Sequence, residues 1–300
     1  MIAQVVEPRG LIRDYVALTK PRILSMLLLT ALCTMFLAEG GVPELSLIAL
    51  VLGGGALAAG GAHALNHYIE RDSDLLMRRT KKRPVASGRV SPQEAMWFGI
   101  ALNVVAFVLL SVLVNPFPSG LLAASLTLSA TLFYVFVYTI ALKRNTPQNI
   151  VIGGAAGAVP PLAAWAAVTG TVELPAIYLF AIIFFWTPPH FWALALMIKD
   201  DYLRAGIPMM PVVTSVAETK RQILLYTFIL VALTLMFVTT SAVGWFYFAT
   251  AAGSGLVYIY YTWRLYRLPE ISGAKSAYLY SLLYLALVFV GVVADVYVKF

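Results

Sequence analysis

Three hundred residues could make two soluble domains, but apolar types account for 61% of them and charged types for only 12%, with a mean hydropathy of +0.84. A soluble domain carries about 25% charged residues, so a soluble enzyme, a secreted disulfide scaffold and a disordered chain are all excluded. The net charge of +7 is first a question of membrane sidedness, and no nucleic-acid partner is expected from it.

A helix needs about 20 apolar residues to cross the hydrocarbon. Nine stretches qualify, at roughly 23–40, 46–68, 94–114, 118–140, 150–168, 176–198, 221–241, 244–263 and 277–297. The predicted fold is an all-α integral membrane protein of about nine transmembrane helices. Two four-helix halves plus a ninth helix would surround a central cavity. Residues 1–22 form an N-terminal segment and 23–300 a single transmembrane domain. The first stretch is not expected to be a cleaved signal peptide, because mixed residues precede it and no small-residue cleavage pattern follows. Cys33 is the one cysteine and reads as packing.

With the N-terminus in the cytoplasm, 20 of the 21 Lys and Arg residues fall inside and only Lys299 outside. That separation predicts a multi-pass protein of the plasma membrane with its C-terminus outside. The long inside loops, 69–93 and 199–220, are where function is expected.

The first of these loops follows His63-Ala-Leu-Asn66-His67-Tyr68-Ile69-Glu70-Arg71-Asp72-Ser73-Asp74. Asn66, Glu70 and Asp74 recur at i, i+4 and i+8, so they stack on one helix face. Three oxygen ligands in a column suit Mg²⁺, which keeps few protein ligands and shares the rest with water and phosphate. Asp72 points elsewhere. A solvated helix end would look similar, yet a carboxylate at membrane depth costs about 2.5–3.5 kcal/mol and is more often functional. The next residues, Met77 to Pro84, hold Arg78, Arg79, Lys81, Lys82 and Arg83. They form either a patch against anionic lipid or a clamp on a metal-bound diphosphate.

Four helices later come Trp186-Thr187-Pro188-Pro189-His190 and then Lys199-Asp200-Asp201. Pro188-Pro189 is expected to break or kink its helix. His190 is a packing residue or a ligand, and Asp200 and Asp201 are an exposed cap or a second metal cluster. Between the two clusters lie Tyr134 and Tyr138 on one face, then Lys143 and Arg144. No P-loop, G-x-S-x-G, zinc cysteine pair or H-E-x-x-H occurs, which removes support for hydrolases and nucleotide-driven pumps.

The stretch Asn66 to Asp74, with Arg79-Thr80 and Arg83-Pro84, resembles the first aspartate-rich motif of the UbiA-type intramembrane prenyltransferases. Leu18 to Arg22, Lys143 to Gly154, Trp186 to His190 and Lys199 to Pro211 are similar to the branch that farnesylates haem. The superfamily's second D-x-x-x-D motif is absent, since Ala205 follows Asp201 by four and Arg204 follows Asp200 by four. Lys199 is therefore expected to stand in for a metal charge.

The resemblance implies Mg²⁺ held by Asn66, Glu70, Asp74, Asp200 and Asp201, with Asn66, Glu70, Asp74, Lys199 and Asp201 catalytic. It implies a diphosphate site of Lys20, Arg22, Arg71, Arg79, Arg83, Tyr138, Lys143, Arg144 and Lys199, and haem contacts at His67, His190 and Trp186. Farnesyl diphosphate and haem b would be the substrates. Membrane lipid and a haem A synthase or terminal oxidase assembly would be the partners. Three other readings stay open: a family member acting on another aromatic acceptor, a haem or lipid transporter without chemistry, and a CDP-alcohol phosphatidyltransferase.

Overall fold

The structure, a computed structural model, describes residues 8–114 and 119–298, without the side chains of Pro8 and Arg9. Lys299 and the connection between the third and fourth predicted stretches lie outside the described residues. All regular structure among the described residues is helical, as a lipid-embedded chain demands, because each span must satisfy its own backbone.

The elements are α1 (Pro8–Leu18), α2 (Pro21–Glu39), α3 (Leu45–Leu76), α4 (Pro92–Leu113) and α5 (Ser119–Leu132), which widens into a π-helix over Phe133–Leu142. Then follow α6 (Asn149–Ala158), α7 (Pro160–Thr169), α8 (Leu174–Met197), α9 (Lys199–Arg204) and α10 (Met210–Val213). The chain ends with α11 (Val216–Met236), α12 (Trp245–Arg267) and α13 (Ala274–Val298). Eight spans are long and apolar enough to cross a membrane, α6 and α7 counting together as one. The ninth predicted span is α12, whose 23 residues reach about 35 Å but whose seven Trp and Tyr residues, with Gly and Ser, dilute its apolar character.

Helix neighbours form a closed ring. α2, α3, α4 and α5 pack in sequence, α7 lies against α2 and α5, and α8 joins α6 to α11 and α13. α12 sits between α11 and α13, and α13 returns to α2. The α3–α4 crossing is close because glycines face each other. A Cβ on Gly61 would lie 2.6 Å from the Gly99 carbonyl oxygen, so neither position admits a side chain without moving a helix.

The helix of the span predicted over 46–68 runs on to Leu76, so the polar cluster sits on a helix face as its spacing predicts, and the loop expected from 69 begins only at Met77. One expectation about the helices needs correction. The break expected at Pro188-Pro189 does not occur, and α8 continues through both residues. Both prolines are buried, and a full break would release still more backbone groups into an apolar setting. The interruption falls instead before Pro160-Pro161, where α6 ends and α7 begins.

α1 was not foreseen as a separate helix. Its Leu11, Ile12 and Val16 are exposed while Leu18 is fully buried. Arg89 Nε bonds both carboxylate oxygens of Asp14 at 3.0 and 3.1 Å, and Tyr15 meets the Phe98 ring edge-on at 4.9 Å. These contacts fasten α1 to the start of α4 and to the preceding loop.

Candidate active site

The site begins with the end of α3. Asn66, Glu70 and Asp74 are 1%, 3% and 0% exposed, so the column predicted from their spacing faces inward. Each of the three meets a basic side chain from a different segment. Lys20 Nζ donates to Asn66 Oδ1 at 2.8 Å. Lys143 pairs with Glu70. Arg83 Nη1 lies 2.8 Å from both oxygens of Asp74. Buried carboxylates persist when paired in this way, whereas bare ones do not.

Local structure delivers each cation. Lys20 separates α1 from α2 in a left-handed conformation, φ 52° and ψ 60°, an unusual backbone for a residue with a side chain. Burial, then the Arg83 charge, pushes its ammonium well below the ordinary lysine range, with Glu70 opposing the shift. Arg83 belongs to the compact loop after α3, which Thr80 ties back by a 2.9 Å bond from its hydroxyl to the Asp74 carbonyl. Lys143 follows the π-helix. There Thr139 donates to the Tyr134 carbonyl at 2.8 Å and accepts from Asn66 Nδ2 at 3.4 Å. π-turns occur often at functional sites because they shift the register of one helical face. Tyr138 stacks on Tyr134 with centroids 5.4 Å apart, and Lys143 Nζ lies 5.8 Å from the Tyr138 ring centre. Gly153 makes room for that ring, since a Cβ there would come within 2.2 Å of it.

The second cluster reaches the same loop. Asp201 on α9 accepts from the backbone amides of Arg78 at 3.3 Å and Arg79 at 3.4 Å, and pairs with Arg204. Burial would raise its pKa, but these two amides and the guanidinium outweigh burial and hold it below the usual carboxylate value. Asp200 is exposed and Lys199 half-buried.

Other expected members are placed less centrally. Arg71 bonds the Tyr68 carbonyl at 2.8 Å and covers the Tyr68 ring, on the outer side of α3. Arg22, Arg79 and Arg144 are exposed, and Arg144 reaches Ser73 at 3.4 Å. His190 is sandwiched between Trp186 and Tyr278, with centroids at 4.2 and 4.8 Å. The bonds of this stack run to Ser281 on α13, from Trp186 Nε1 at 2.8 Å and with His190 Nδ1 at 2.6 Å.

Among the described residues no three His, Cys, Asp or Glu side chains converge into a metal cage. The column fits a different demand. Two carboxylates and an amide oxygen, all hard donors, suit a cation that takes few protein ligands and completes its shell with phosphate oxygens.

An oxygen column with a basic partner for each member thus stands inside a bundle of apolar helices. The UbiA prenyltransferase family pattern matches residues 27–290. The chain belongs to that family. It is 50% identical over 286 residues to the protoheme IX farnesyltransferase of Roseiflexus sp., covering 95% of this chain and 53% of that protein. The protoheme IX farnesyltransferase of Nostoc sp. is also 50% identical over 286 residues, with 95% and 88% covered. The chain spans about half the length of several of the curated relatives it matches. A solved UbiA homolog from Archaeoglobus fulgidus, bound to GPP and Mg²⁺, shares the fold at a TM-score of 0.63 and 18% identity, covering 93% of this chain and 99% of that one.

Two further polar side chains beside the column were not singled out from sequence, Thr139 and His63. Thr139 gives no sign in sequence, because its role depends on the π-helix. His63 was legible, since it stands one turn before His67 on the column's own face.

Proposed function

We propose that this UbiA-family protein transfers a farnesyl group from farnesyl diphosphate to a vinyl group of haem b, with addition of water, giving haem O. The observation that carries this reading is the buried column Asn66, Glu70 and Asp74 with a basic partner for each, in a chain 50% identical to proteins named protoheme IX farnesyltransferase. Asn66, Glu70 and Asp74 would hold Mg²⁺, with Asp201 closing the loop from the other half. Bound there, Mg²⁺ supplies charge that stabilises the departing diphosphate. A solved protein of the same fold bound to GPP and Mg²⁺ supports a metal in the reaction.

Lys20, Arg83 and Lys143 would turn toward the diphosphate oxygens, and fixed cations near a leaving group lower the barrier to ionisation. Arg79, Arg144 and Lys199 would meet the phosphates from the open side, with Arg22 and Arg71 more peripheral. Tyr134 and Tyr138 would face the allylic cation and keep water from it until the new carbon–carbon bond has formed. His190 and Trp186, each bonded to Ser281, would form part of the wall of the acceptor pocket. The long loops and residues 1–22 would lie on the cytoplasmic side of the plasma membrane.

The test is incubation of the purified protein with haem b, farnesyl diphosphate and Mg²⁺, with the haem product read by mass. A product heavier by farnesyl plus water supports the reading. Unchanged haem alongside intact farnesyl diphosphate refutes it.

A further inference from the structure

The face of α3 that carries the column holds two more polar side chains, and neither takes part in the charge pairing. At 3.6 residues per turn His63, Asn66, His67, Glu70 and Asp74 all fall within an arc of about 100°. His63 and His67 are 7% and 2% exposed, and none of their four ring nitrogens has a hydrogen-bond partner. The chain's third histidine, His190, differs, because its Nδ1 is engaged by Ser281. A buried polar group without a partner is destabilising. Two of them side by side, on the face that the other three residues make into a site, point to a ligand.

The chemistry of the pair selects that ligand. Mg²⁺ prefers oxygen donors, and the diphosphate is matched by Lys20, Arg83 and Lys143. Imidazole nitrogen is instead a ligand for iron. The pair also lies toward the apolar middle of α3 relative to Glu70 and Asp74, where a flat apolar macrocycle belongs. The Tyr134 ring meets His63 edge-on with centroids 5.7 Å apart.

We infer that the His63–His67 pair is the axial-ligand site for the iron of haem b, seating the porphyrin beside the diphosphate column with one imidazole on the metal. The other imidazole is left to bound water, which makes about three hydrogen bonds in a buried site. This assignment rests on the proposed function, which supplies the iron porphyrin as acceptor.

The experiment titrates the full chain in lipid nanodiscs with haem b, and separately with metal-free protoporphyrin IX, following the Soret band. The proteins are wild type, His63→Gln, His67→Gln, the double variant and His190→Gln, with farnesyl diphosphate affinity as the check that each site is folded. Wild type is expected to give the spectrum of imidazole-ligated iron. The double variant is expected to lose that spectrum and to weaken haem b binding more than about tenfold, with metal-free porphyrin and farnesyl diphosphate binding unchanged. Loss in one single variant identifies which imidazole binds. Retention of the spectrum in the double variant, its loss only in His190→Gln, or equal weakening for both porphyrins overturns the inference. The mass assay on wild type separates this outcome from failure of the proposed function.

Discussion

The two polar clusters occupy corresponding places, at the ends of α3 and α8, yet they are built differently. At the end of α3 three buried groups each hold a side-chain cation drawn from elsewhere in the chain. After α8, Asp201 spends its oxygens on two backbone amides and a neighbouring arginine, while Asp200 faces outward. Side-chain cations can be re-aimed at a ligand by rotamer changes, whereas backbone amides cannot. The first cluster is therefore equipped for exchange of partners and the second for holding the loop 77–83 in place. A repeat in position need not be a repeat in role.

The comparison breaks most sharply at the column. Glu70→Gln and Asp74→Asn are each expected to lower turnover of farnesyl diphosphate by at least about 10²-fold, the scale of losing a main electrostatic contact. Steady-state rates check this, and equal mild effects at Glu70, Asp72 and Asp74 would remove the column from the mechanism. Lys143→Ala comes next. It is expected to weaken farnesyl diphosphate binding by about tenfold, near the 1.4 kcal/mol of a modest charge-assisted contact, as read by calorimetry.

Asp201→Asn tests the second cluster, with an expected rise of a few-fold in KM and faster proteolysis of the 77–83 loop. The pH dependence has a definite sign. A carboxylate held below its usual pKa contributes at neutral pH, and its contribution is lost only as pH falls through that lowered value. Wild-type loop protection should thus persist at neutral pH and fail only in acid below the ordinary carboxylate range. Asp200→Asn is the smallest effect, expected within about twofold of wild type, because surface substitutions change little. A loss as large as that of Glu70→Gln would show that the exposed position carries function after all.

Much of this was legible in the residues. Apolar runs located the spans, and the i, i+4, i+8 spacing put Asn66, Glu70 and Asp74 on one face. What could not be read was long-range. Nothing local tells that Lys20 rather than Arg22 turns inward, because the choice depends on a left-handed residue between two helices. The many basic residues after α3 are equivalent as composition, but only Arg83 reaches Asp74. Proline misled because propensity is local while α8 is held by its neighbours. The π-helix was illegible because its apolar run carries no local sign of the wider turn, and Thr139 meets Asn66 only in the folded bundle.

The pairing of the column also has an order in time. A chain that enters the membrane from its N-terminus has Lys20 available before Asn66 is made, and Arg83 emerges only nine residues after Asp74. Lys143 arrives much later, behind two further spans, so its ion pair with Glu70 is the last of the three to become possible. The fourth span thereby completes the pairing of the column.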